Sequence, residues 1–251
     1  METNTNINSA MSGLSDGSAS NTSAKPTLLI LHGWGCDKTV YAAVTAHLST
    51  RYNVVLPELP GFGDTPEPPE DSGGWGVGDY ADYVHSLGVV PDVIVAHSLG
   101  CRIATKLLAD GRLAPSKVVF TGAAGIKPKR TVGQRMRTRV FKLKRILAKP
   151  FPKLTEKLRN KYGSEDYRKA SPIMRQSLVK IVNEDLTPLY CKIAAETLLI
   201  WGEHDDSTPL ADGKKMEQLM PNAGLAVMQG CGHYAFLEQP QLFLRILDSF
   251  I

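Results

Sequence analysis

Six short, uninterrupted apolar runs recur along the chain: TLLILHG (27–33), NVVLPELPG (53–61), DVIVAHS (92–98), KVVFTGAAG (117–125), TLLIWGE (197–203) and GLAVMQG (224–230). Each is too short for a buried helix and does not alternate polar with apolar. Each therefore reads as a strand covered on both faces, the signature of parallel sheets. Between them, residues 39–50, 79–88, 98–110, 210–220 and 239–250 carry helical spacing. Regular β-α alternation predicts an α/β fold: a mostly parallel, doubly wound sheet of about six strands with helices on both faces. Ligands are expected beyond the carboxyl ends of the strands.

The alternation fails between Ile126 and Asp185, where only helical periodicity remains. Val132, Met136, Val140, Leu143 and Leu147 form one apolar stripe, with Arg135, Arg137, Arg139, Lys142, Lys144 and Arg145 on the other faces. Further helices are expected over 152–162 and 172–183. The organisation is thus a core of 26–125 and 186–251, with a helical cap inserted at 126–185. Charge separates the two. Of 29 Lys/Arg, 18 lie in the cap, against only 5 of the 25 Asp/Glu. The cap carries +13 and the remainder −9, a difference that the overall +4 conceals.

Residues 1–25, rich in Ser, Thr and Asn, have neither a basic start nor an apolar middle. They read as a disordered tail rather than a secretory signal. No apolar run reaches the roughly 20 residues of a membrane helix. Cys36, Cys101, Cys191 and Cys231 are scattered without metal-ligand spacing, which argues against a disulfide framework and for the cytoplasm. No metal site or cofactor motif is read.

The chemistry centres on VIVAHSLGCRIA. Here a strand ends, Ser98 follows, and a helix opens at once. A serine hydroxyl is a weak nucleophile until a base takes its proton and donors stabilise the oxyanion. A sharp turn exposes the oxygen and aims the Leu99 N–H at the same point. The turn brings the residues two before and two after the serine together, and here both are small, Ala96 and Gly100. Further along, LLIWGEHDDSTP delivers Asp205 or Asp206 after a strand, and MQGCGHYAFLEQP delivers His233 after the last one. The glycines of LHGWGCD let backbone N–H groups approach a bound oxygen.

These motifs together resemble the α/β-hydrolase superfamily over residues 26–251. The resemblance implies Ser98 as nucleophile, His233 as base, and Asp205, three residues after Gly202, as the acid orienting His233. It also implies an oxyanion hole from the backbone amides of Trp34 and Leu99, with LPGFGDT (59–65) in a structural role. Ala96 replaces the usual glycine, and two initial strands of the family are missing, so the sheet is expected to have six. LHGWG and LPGFG are in addition similar to the pimeloyl-carrier-protein methyl esterases.

Trp34, Met136, Val140 and Tyr234 are the candidate pocket residues. His97 is read as a packed core residue, and His32 as a brace for the oxyanion loop. The expected activity is hydrolysis of a carboxylic ester or related acyl bond in a small-molecule substrate. The basic cap suggests an acidic acyl-carrier partner or an anionic lipid surface. Nucleic acid is disfavoured, because few aromatics interleave the basic residues. A non-catalytic ligand binder of the same fold is the contrasting possibility.

Overall fold

The computed structural model describes residues 24–127 and 164–251, with Gly133, Met136, Arg139, Val140 and Pro150 between them. The N-terminal tail up to residue 23, the helix expected over 152–162, and Val132, Leu143 and Leu147 of the cap stripe lie outside the described residues. So do most of the cap's basic side chains.

In chain order the elements are β1 (Thr27–Leu31), α1 (Ala42–Leu48), β2 (Asn53–Val55), α2 (Val77–Ser86), β3 (Val93–His97), α3 (Leu99–Ala109) and β4 (Lys117–Thr121). After the cap segment begins come α4 (Glu165–Lys169) and α5 (Pro172–Asn183). Then follow β5 (Glu196–Gly202), α6 (Leu210–Leu219), β6 (Ala223–Met228), α7 (Ala235–Glu238) and α8 (Pro240–Asp248). The strands form one six-stranded sheet in the order β2-β1-β3-β4-β5-β6, and every pairing is parallel.

The uninterrupted apolar runs have a direct physical origin. Successive side chains of a strand point to opposite faces, and both faces are covered. Leu29 and Leu31 of β1 belong to one core with Ile94, Ala96, Val118, Phe120, Leu199 and Trp201. Leu28 and Ile30 belong to the other with Val93, Val95, Val119 and Ile200. The first core is closed by α2, α3, α5 and α6, the second by α1 and α8. The edge strands depart from the expectation of full burial: β2 and β6 are largely half-buried or exposed. An edge strand has a neighbour on one side only, which leaves its helix cover incomplete.

Local signals set the helix starts. Ser164 accepts the Tyr167 N–H at 3.2 Å and opens α4. Ser171 accepts the Met174 N–H at 3.3 Å and precedes Pro172, which sits at the first position of α5, where its missing N–H is harmless. The buried side of α5 is Ile173, Met174, Ser177, Leu178 and Ile181, a helical spacing that turns one stripe toward the core. Among the described residues no helix is long and apolar enough to cross a membrane.

Candidate active site

Ser98 stands between β3 and α3 with φ 48° and ψ −105°, and it is the one non-glycine residue with positive φ among those described. Such a conformation costs on the order of 1–3 kcal/mol and persists only where the surroundings enforce it. They do: the Ser98 N–H bonds to the Thr121 carbonyl at 3.2 Å, and the Ser98 carbonyl accepts the Cys101 N–H at 3.1 Å. Immediately behind, α3 starts against β1 so tightly that a Cβ on Gly100 would strike the Leu31 carbonyl oxygen. Ala96 is buried between Leu31 and Phe120 in register. A glycine two residues after the serine is therefore required by close approach. The Leu99 N–H, first of the helix, has no carbonyl one turn back to bond and remains available.

Asp205 is buried in the loop after β5, and every oxygen it has is used. Oδ1 accepts the N–H groups of Ser207 at 2.9 Å and Thr208 at 2.8 Å. Oδ2 accepts the Thr208 hydroxyl at 2.8 Å and Nδ1–H of His233 at 2.8 Å. Burial alone would raise this carboxyl's pKa; the hydrogen bonds from His233 and Thr208 outweigh it and hold the pKa below its ordinary value. Asp206, the alternative acid, is exposed in the same loop. Because a carboxylate can only accept, Nδ1 of His233 carries the proton, leaving Nε2 as the basic nitrogen. Gly122, just past β4 at φ 51°, leaves the space in which this pair lies. A Cβ there would come within 3.0 Å of His233 Nδ1 and 3.2 Å of Asp205 Oδ2.

Ser98 and His233 line the same cavity, of about 320 Å³, together with Trp34, Leu99 and Tyr234. Trp34 stands edge-on to Phe62 at 5.0 Å between centroids. Met136 and Val140, the other two expected pocket residues, are exposed and do not belong to the cavity's described lining. The apolar wall comes instead from Ala124, Ile126, Leu178, Ile181 and Val182. A stripe at helical spacing identifies an inward face but not which helix reaches the site. Cys36 and Cys231 are buried in the core on the α1–α8 side of the sheet.

Two further histidines support the site. His32 donates Nδ1–H to the Gly33 carbonyl at 2.8 Å and accepts the Leu59 N–H on Nε2 at 2.9 Å, tying the loop after β1 to the loop after β2. Its burial lowers its pKa, consistent with the neutral tautomer those bonds require. His97 donates Nδ1–H to the Thr121 carbonyl at 3.0 Å. Burial, then the neighbouring His233, push its pKa down to about 3.

Sequence reasoning missed three residues here. Thr208 completes the shell of Asp205; the Asx-turn that Asp205 makes with the Ser207 N–H two residues on, with Thr208 directly after it, is the signal that could have found it. Asp212 and Arg102 both line the cavity. Arg102 lies four residues after Ser98, so one helical turn puts the two on the same side of α3.

Comparison with known proteins agrees with this fold. Residues 28–246 match the model of the Alpha/beta hydrolase family. Among curated proteins, the chain is similar to the pimeloyl-[acyl-carrier protein] methyl ester esterase of Aeromonas hydrophila, at 25% identity over 90% of this chain and 95% of that one. Among solved structures, MenH from S. aureus superposes with a TM-score of 0.68 at 20% identity, covering 92% and 94% of the two chains. A thermophilic esterase from Thermogutta terrifontis superposes with a TM-score of 0.65 at 20% identity, covering 90% and 89%. At such identities the structural likeness is one of fold.

Proposed function

The chain belongs to the alpha/beta hydrolase family, and from that premise we propose that it is a serine hydrolase cleaving a carboxylic ester through an acyl-enzyme. The observation that carries this reading is the 2.8 Å contact of the buried Asp205 with His233, whose ring lines the same cavity as the strained Ser98. His233 Nε2 takes the proton of Ser98 Oγ as that oxygen attacks the ester carbonyl. The N–H groups of Leu99 and Trp34 receive the oxyanion. His233 then returns the proton to the departing alcohol, and water repeats the sequence to release the acid. Asp205 holds the tautomer and stabilises the imidazolium without being protonated itself.

Ser98→Ala is expected to lower kcat by roughly 10⁴ to 10⁶ on p-nitrophenyl esters. A fluorophosphonate probe should label the native protein at Ser98. Folded protein that is not labelled would instead be a ligand binder. Four free cysteines, three of them buried, fit a reducing compartment.

The second reading concerns delivery. The +13 of residues 126–185 and the relative that acts on a carrier-bound methyl ester favour an acidic carrier protein as the bearer of the acyl group, with an anionic lipid surface as the competitor. On this reading kcat/KM for a carrier-borne ester falls steeply with added salt, while that for a neutral free ester stays flat. Equal salt responses would end it.

A further inference from the structure

Among the described residues, Arg102 is the one arginine that lines the cavity beside Ser98. The residue is 6% exposed. Its guanidinium donates Nη1–H to the Glu184 carbonyl at 3.0 Å, yet it forms no ion pair with any carboxylate among the described residues. A guanidinium carries five N–H donors in a planar fork. The Glu184 carbonyl takes one of them, and the residue lines the cavity. The Glu184 and Asp185 carboxylates favour its charge only from beyond ion-pair distance, so the guanidinium is free to pair directly with an anion that enters the cavity.

The position suits one. Arg102 follows Ser98 by four residues on α3, a rise of about 6 Å at 1.5 Å per residue. Helical side chains lean toward the N-terminus, so this one leans back over the turn that carries the nucleophile. The apolar wall of Ile126, Leu178, Ile181 and Val182 belongs to the same cavity and offers room for an aliphatic spacer. Asp166 and Asp212 also line it, which leaves Arg102 as the favourable place for negative charge.

We propose that Arg102 is the anion-recognising residue of this pocket, and that the preferred substrate is an ester whose acyl part ends in a free carboxylate. The ester part of this statement rests on the serine-hydrolase reading; the recognition of the carboxylate does not. A fork of parallel N–H donors matches a carboxylate's two oxygens, as a lysine would not.

The test measures binding without turnover. Ser98→Ala protein is titrated calorimetrically with monomethyl esters of short straight-chain dicarboxylic acids, and with methyl esters of the monocarboxylic acids of equal length. The anionic series is expected to bind at least about tenfold more tightly. Adding Arg102→Met should bring the ratio of the two affinities close to one, and Arg102→Lys should recover part of it. Equal binding of both series by Ser98→Ala protein overturns the proposal before any change at Arg102 is needed. So does a preference that survives Arg102→Met. Thermal denaturation separates a structural role: exchanging a buried unpaired charge for an apolar chain of similar length is neutral or stabilising. A Tm that drops while both ester series weaken alike would make Arg102 a prop for the Glu184 carbonyl and overturn the proposal. If wild-type protein hydrolyses neither series while the Arg102-dependent preference persists, the hydrolase reading fails and the carboxylate site stands.

Discussion

The end of β3 and the loop after β6 each bring a histidine to the same spot, and the two imidazoles have opposite fates. His97 and His233 lie 4.7 Å apart between ring centroids. His97 is sealed among His233, Tyr234 and Phe236, gives Nδ1–H to a neutral backbone carbonyl, and has an Nε2 with no hydrogen-bond partner among the described residues. His233 gives Nδ1–H to a carboxylate and keeps its other edge on the cavity. The same side chain is thus sealed and neutral in one place and, in the other, tied to a carboxylate at the edge of the cavity, as the proposed base requires. What separates them is the partner at Nδ1 and access to the cavity.

The sharpest way to break this comparison is to remove each ring. His233→Ala should lower kcat by about 10⁴ or more. His97→Asn should act mainly on stability, lowering it by about 1–3 kcal/mol and kcat by less than about tenfold. Comparable losses of turnover from the two variants would mean the sealed histidine is not inert. Next in size is the acid. Asp205→Asn should depress kcat by about 10⁴ through the wrong imidazole tautomer, whereas Asp206→Asn, in the exposed half of the same loop, should leave it within about twofold. Steady-state kinetics on one ester settle both.

The smallest effect is in pH. A histidine whose pKa is depressed in the fold stays neutral there while the unfolded chain takes up its proton near pH 6.5. His97 therefore contributes stability that is fully present above that pH and drains away as pH falls toward about 3. Between pH 6.5 and 5 the loss is about 2 kcal/mol from this ring, with His32 adding in the same direction. Urea unfolding at the two pH values should show it, and His97→Asn should remove its share. A wild-type stability that is flat over this range would contradict the depressed pKa.

Much of this site is readable from the chain because its parts are local. The turn at Ser98 needs small neighbours within two residues on either side, and a strand-turn-helix pattern spans only VIVAHSLGCRIA. The packed roles of His97 and His32 follow from adjacency to strands that are apolar on both faces. Choosing Asp205 over Asp206 was harder. Adjacent loop residues face different ways, and the choice depends on Thr208 and His233, 28 residues downstream, converging on one carboxylate.

By itself, then, the sequence determined the alternation of strands and helices, the parallel sheet and the chain order of serine, acid and histidine, since these depend on spacing and on short-range sterics. Tertiary structure alone decided which strands became half-covered edges, because exposure there depends on strand order across the sheet. It alone put α5, rather than Met136 and Val140, against the cavity, because a stripe specifies an inward face without specifying what it faces. It alone also placed Arg102, buried and without an ion-pair partner among the described residues, in the cavity that Ser98 lines. Whether a basic side chain on an amphipathic helix meets water or a cavity is settled by what packs above it, and no window along the chain contains that information.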